Sequence, residues 1–347
     1  MPTLIESLDP IAALPGADFC LRGRGLFPQD AMPEVRVGGV LAPPVIASDS
    51  LIVARVPAAA TGGATDVSID SAAAPAPLEI GVQIAENLHP VCNPALDDEG
   101  NIIVTLSGSR GQKTPVSLFK LDANYTLKAW GGSITNPSGL ALDRTGTLFA
   151  SSRHDGAVFR VAPSGEASLY AEGLGVATGI AFDPAGDLYV GDRSGTVFKI
   201  DGQRNTFVFA TLEPSVAAYH LAFGPDEYLY VTGPSTSSFD TIWRISPRGR
   251  VEPFFRGLGR PQGLAFEVTG ALLVVASFQG RRGVVRITPE GKASWVLSGQ
   301  NLVGLALTPP RPNGRGAASL VLASHNSLYH LSWPVAGWPL LPGRGVR

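Results

Sequence analysis

Charge is scarce in this sequence, and cysteine and methionine are scarcer still. Of 347 residues only 16% are charged, the net charge is −2, and Cys and Met occur twice each. No run of five Lys or Arg occurs, so nothing in the chain draws it electrostatically to nucleic acid or to an anionic membrane. No window approaches the roughly 18 consecutive apolar residues that a membrane-spanning helix needs. The opening Met1-Pro2-Thr3-Leu4-Ile5-Glu6 has neither a basic start nor a long apolar stretch, so no secretion signal is read and the cytoplasm is the default expectation. Cys20 and Cys92 fall in what read as different domains, and are expected to be two buried thiols and not a disulfide or a metal pair.

What the chain does have is apolar residues (44%), 41 glycines and 29 prolines. The first describes a packed globular protein, and the other two the punctuation of many tight turns. A chain of this length suits two domains.

A phrase recurs along most of its length. Ser138-Gly139-Leu140-Ala141-Leu142-Asp143 is answered by Thr178-Gly179-Ile180-Ala181-Phe182-Asp183, and further copies begin at Tyr219, Gln262 and Val303, with a degenerate one at Cys92. The steps between copies are 46, 40, 41, 43 and 41 residues. A second phrase, apolar-bulky-basic-apolar, follows each first one, as in Leu118-Phe119-Lys120-Leu121 and Val197-Phe198-Lys199-Ile200. Its basic slot holds Lys120, Arg160, Lys199, Arg244, Arg286 and His330, expected to lay their stems on a neighbouring blade while the heads reach water. Each unit contains about four short β-rich runs separated by Gly, Pro, Asp and Ser turns. Four strands in about 40 residues is the grammar of a propeller blade, and six copies predict six blades. The last unit lacks a fourth run, whereas Leu78-Glu79-Ile80-Gly81-Val82-Gln83-Ile84 precedes the first unit as an orphan strand. That segment is expected to complete the last blade and close the ring, leaving no unpaired edge.

Residues 1–72 stand outside the repeat and read as a small β-sandwich, with a linker of small residues at 73–77 and the propeller at 78–347. The expected fold class is therefore all-β, a small immunoglobulin-like sandwich followed by a six-bladed β-propeller closed by an N-terminal strand at about 78–84.

The segment Ile5-Glu6-Ser7-Leu8-Asp9-Pro10, with Pro15-Gly16, Leu21-Arg22-Gly23-Arg24-Gly25-Leu26 and Val35-Arg36-Val37-Gly38-Gly39, resembles the IPT/TIG family of immunoglobulin-like domains. That likeness implies a spacer or interaction module and no catalytic residue. Gly139–Ser151 and Gly179–Asp192 resemble NHL-type propellers and the gluconolactonase/regucalcin-like superfamily. The second likeness implies a divalent ion in the central channel, held by carboxylates and amides just before the recurring phrase. The matching positions here are Cys92, Ser138, Thr178, Tyr219, Gln262 and Val303. None is a carboxylate, Cys92 stands where the family's Glu would be, and Asn93 lies one residue from that slot. Without a carboxylate the site lacks the charge to hold a hard cation and a base to activate water.

Other catalytic patterns are missing: no G-x-S-x-G, no P-loop and no H-E-x-x-H occurs. Arg153-His154-Asp155 reads as a solvated turn, and Asp97-Asp98-Glu99-Gly100-Asn101 as a β-turn. His220 replaces the glycine of its phrase, which would aim an imidazole at the channel mouth. The expected function is therefore non-enzymatic recognition at the channel mouth, with Cys92, Asn93, Ser138, Thr178, Tyr219, His220 and Gln262 as ligand-binding candidates and no catalytic or metal residue. No cofactor is expected, Ca²⁺ or another divalent ion entering only under the alternative, a lactonase-like hydrolase with a displaced ion site. The partner is expected to be a small molecule or a protein segment, met by a monomer.

Overall fold

A computed structural model describes residues 2–27, 32–109, 111–310 and 318–339. The propeller span read from the sequence runs on through 311–317 and 340–347, which lie outside the described residues. Every regular element is a β-strand, and no helix is long and apolar enough to cross a membrane among the described residues.

Residues 82–333 form six antiparallel sheets in chain order. Their innermost strands are Ala95–Leu96, Pro137–Leu142, Ala177–Phe182, His220–Phe223, Leu264–Phe266 and Leu302–Leu307, and each sheet then steps outward strand by strand. The innermost strands touch in sequence order from the first to the sixth. An aromatic wedge recurs between successive sheets. Phe149 packs edge-on against Phe182 at 5.0 Å, Tyr189 against Phe223 at 5.1 Å, and Tyr230 against Phe266 at 4.8 Å. Each pair joins the second strand of one sheet to the innermost strand of the next. Such edge-to-face contacts add about 0.5–1.5 kcal/mol beyond area burial.

The sixth sheet takes its outer strand from upstream: Val82–Ala85 pairs with Leu328–Trp333. The closing strand is thus shorter and later than the expected 78–84. Leu78 and Ile80 are fully buried in the core of the preceding residues, so Leu78–Ile80 is held there and Gly81 is the pivot between the two roles.

Residues 4–73 form two four-stranded sheets, one of Leu4–Asp9, Asp18–Arg24, Leu51–Arg55 and Pro44–Ala47, the other of Ala72–Ala73, Val67–Ile69, Val35–Val37 and Val40–Leu41. They face each other across a core that includes Phe19, Leu21, Val35, Ile52 and Ile69. The front sheets are welded to the ring. Ala12–Ala13 pairs in parallel with the outer strand Ala293–Ser298 of the fifth sheet and also with Leu78–Ile80, which pairs in turn with Gly63–Thr65. The fifth sheet thereby grows to seven strands, and Leu14 enters the ring's core beside Leu297 and Leu302.

Four of the six basic-slot residues pair within their own sheet, whereas His330 of the sixth sheet reaches the next, its ring 5.5 Å from that of Tyr125 in the first. Lys120 pairs with Asp97 at 2.9 Å, Lys199 with Asp187 at 2.8 Å, Arg244 with Glu252 at 2.8 Å and Arg286 with Glu267 at 2.7 Å. The first three also lie over Trp130, Tyr189 and Tyr228. The carboxylates sit in turns or on strands of the same sheet, so these four cations are neutralised locally. Asp97 itself organises its turn, accepting from the amides of Glu99 and Asn101.

Candidate functional site

Where the innermost strands converge they enclose a cavity of about 180 Å³. Its wall is built from the recurring phrase: Leu140, Ala141 and Leu142 on one sheet, Ile180, Ala181 and Phe182 on the next, and so on round the ring. The wall is apolar because the same hydrophobic triplet that drives strand formation also faces the axis.

Three of the seven sequence candidates border this cavity: Cys92, Asn93 and His220. The other four, Ser138, Thr178, Tyr219 and Gln262, are not part of its wall. Their interactions run along the seams between strands. Ser138 Oγ donates to the Asn136 carbonyl at 2.8 Å, and Thr178 Oγ1 donates to Gly191 O at 2.8 Å while accepting from Tyr219 N at 3.1 Å. The Tyr219 hydroxyl donates to Glu213 O, and its ring packs with Tyr189, Leu221 and Phe223. The Gln262 backbone donates to Val275 O and accepts from Thr232 Oγ1 at 2.5 Å.

Asn93 closes the ring. It precedes the innermost strand of the first sheet, donates through Nδ2 to Leu264 O of the fifth at 3.0 Å, and accepts through Oδ1 from Leu305 N of the sixth at 3.1 Å. Both ends of its amide are thus engaged with backbone. Gly263 makes this possible, since a Cβ there would collide with Asn93 Oδ1.

His220 is accommodated by a local change of register. The second, third and sixth sheets carry a pairing irregularity at the slot, whereas the fourth pairs regularly, His220 opposite Thr232 and Leu221 opposite Val231. At the equivalent Gly179 a side chain would run into the Tyr219 backbone. Regular alternation sends Tyr219, Leu221 and Phe223 toward the third sheet, leaving His220 and Ala222 on the side of the fifth, where Gly263 offers no side chain. The imidazole is 3% exposed, and none of the described residues hydrogen-bonds to it. Burial pushes its pKa down from 6.5 to about 4, so the ring is neutral at physiological pH.

That burial links stability to pH. The unfolded chain takes up a proton near pH 6.5 and the folded imidazole only near 4, so the unfolded state binds more protons between these values. Stability is full above 6.5, declines as pH falls toward 4, and is constant with respect to this group below that. The total is roughly 3 kcal/mol at about 1.36 kcal/mol per unit. His220→Leu is expected to flatten this part of the profile, measured as the difference in urea midpoints of variant and parent from pH 7 to pH 4.

The Cys92 thiol is buried and free, as is that of Cys20. Burial pushes the Cys92 pKa up to about 12, and its Sγ lies 3.9 Å from Thr105 Oγ1. It is a protonated wall group and a poor nucleophile.

The divalent ion that the superfamily likeness implies does not fit these residues. Neither Cys92 nor Asn93 offers a free oxygen, the six slot positions supply no carboxylate, and no three His, Cys, Asp or Glu side chains converge on one point among the described residues.

One end of the cavity is formed by residues that carry no strand signal in their sequence. After Leu328–Trp333 the chain turns beneath the fifth and sixth sheets. Val268 N donates to Ala336 O, Gly337 N to Thr308 O and Trp338 N to Phe266 O, so that Gly337, Trp338 and Pro339 join the wall. Backbone pairing, not side-chain pattern, holds this segment, which is why its composition did not announce it.

Strands stepping outward from a common axis, with a cavity on that axis, define a propeller-like protein. No family model matches the chain, and no curated protein matches it. Solved structures do. A putative gluconolactonase matches at 19% identity and a TM-score of 0.60, over 75% of this chain and 93% of its own. An auxiliary nutrient binding protein from Bacteroides ovatus matches at 12% identity and 0.54, over 98% of this chain and 99% of its own, so the likeness extends to the front sheets. The virginiamycin B lyase of Staphylococcus aureus matches at 15% and 0.53, over 74% and 86%. At these identities the likeness is one of fold.

Proposed function

We propose that the protein is a six-bladed β-propeller with an immunoglobulin-like front module of the IPT/TIG kind, and that it binds a small molecule in the cavity on the propeller axis without acting on it chemically. The observation that carries this reading is the wall itself: apolar side chains around a buried, neutral imidazole to which none of the described residues hydrogen-bonds. Concave apolar sites with few polar groups are where proteins hold small ligands. A nutrient-binding protein among the fold neighbours agrees with the reading, on fold alone. The proposed protein is a cofactor-free monomer that does not engage nucleic acid or membrane.

The alternative is a divalent-ion-dependent lactonase, which the gluconolactonase-like neighbour favours on fold alone. The donor set argues against it. Calorimetric titration of chelator-stripped protein with Ca²⁺, Zn²⁺ and Mn²⁺ separates the two. No heat of binding is expected up to millimolar ion, and one-to-one binding at micromolar ion, with hydrolysis of a sugar lactone, would overturn the proposal.

A further inference from the structure

The cavity constrains what can occupy it. Its volume of about 180 Å³ is close to the roughly 150 Å³ apolar cavity that holds a benzene molecule, so one ring of five to seven atoms fills it. Charge is scarce in the wall that the described residues form. Among them one carboxylate, Asp98, borders the cavity and is exposed, and no Lys or Arg does. An ion entering the interior would give up its hydration with no counter-charge to replace it.

Polar partners are equally restricted. The Asn93 amide is engaged at both ends with Leu264 and Leu305, and the Cys92 thiol is a weak hydrogen-bonding group. Of the buried polar side chains in the wall, His220 is the one to which none of the described residues hydrogen-bonds. Among the described residues the fully enclosed side-chain atoms without a partner are Ser117 Oγ and Arg244 Nε, not the His220 nitrogens, which therefore meet accessible space that an occupant can enter.

We propose that the ligand is an uncharged molecule the size of a single ring, apolar over most of its surface, carrying one carbonyl or hydroxyl that hydrogen-bonds to the His220 imidazole. This rests on the cavity being the binding site, and it adds the chemical class and the anchoring atom. A neutral imidazole offers one N–H donor and one acceptor nitrogen, so it accommodates a ketone, a lactone carbonyl or an alcohol, and gives an anion no charge to pair with.

Four probes of one size test the class: cyclohexanone, methylcyclohexane, cyclohexanecarboxylate and cyclohexylammonium, titrated at pH 7.5 by calorimetry and by ligand-observed NMR. Cyclohexanone is expected to bind at least about tenfold more tightly than either ion. In His220→Leu it is expected to weaken about tenfold, the loss of one buried hydrogen bond, while methylcyclohexane changes by less than about twofold, as an apolar-for-apolar exchange implies. Two filling variants on different sheets, Ala141→Phe and Ala306→Phe, are expected to abolish binding of both neutral probes, and having two guards against one that fails to fold. If an ion binds as well as cyclohexanone, or His220→Leu weakens both neutral probes alike, the ligand class is wrong while the cavity stands. If no probe binds, or binding survives both filling substitutions, the cavity itself is not the site.

Discussion

Replacing Asn93 by alanine is expected to destabilise the protein by about 3 kcal/mol, a large loss for a half-buried polar residue. The amide spans three sheets, from the approach to the first, to Leu264 of the fifth and Leu305 of the sixth. Alanine would remove both hydrogen bonds, leaving the Leu264 carbonyl and the Leu305 amide unpaired at a crowded seam. Each such orphan costs roughly 1–3 kcal/mol. Asn93→Asp is the discriminating partner. It keeps the acceptor for Leu305 N but places an oxygen against Leu264 O, so it is expected to be at least as damaging as alanine. Urea denaturation of the three proteins at pH 7.5 checks the order. A change below about 0.5 kcal/mol in both variants would mean that the ring is closed by the Val82–Ala85 strand alone.

The second large effect is expected at Leu14, far in sequence from the ring it supports. Leu14 is buried in a cluster with Leu297, Leu302 and Leu331, and its amide donates to Ser298 O at 2.8 Å. Leu14→Ala leaves a cavity at the join between the front sheets and the fifth ring sheet. The expected cost is about 3 kcal/mol, within the range for buried leucine truncations. Because Ala12–Ala13 is hydrogen-bonded on both sides, to Ala293–Ser298 and to Leu78–Ile80, the chain is expected to melt in one transition, and Leu14→Ala to lower that transition as a whole. Scanning calorimetry is the measurement. A front-sheet transition that moves while a separate ring transition stays put would show that the weld carries no cooperativity.

Much of the fold was legible in the sequence because a repeat writes the same physics several times. The Gly-Leu-Ala-Phe type of phrase marks the innermost strand of most sheets, and the missing fourth run of the last unit pointed to an upstream strand. Less of the site was legible. A binding slot inferred from position in a repeat presumes that each copy turns the same way. The regular register at His220–Phe223 and the irregular one at Ala177–Phe182 send equivalent residues in different directions. Hence Tyr219 packs into the seam while His220, its neighbour, borders the cavity.

The sequence by itself determined the all-β composition, the strand grammar and the absence of carboxylates at the slot positions, since these depend on residue type and local spacing. Only the tertiary structure decided that Asn93 is a staple, that Leu78–Ile80 belongs with the front core, and that Trp338 borders the cavity. The first rests on backbone groups brought to the Asn93 amide from 171 residues away at Leu264 and 212 at Leu305, and the other two on short pairings whose partners no local pattern names. A side chain's chemistry is local, but the identity of its partner is settled by which strand edges the folded ring leaves open.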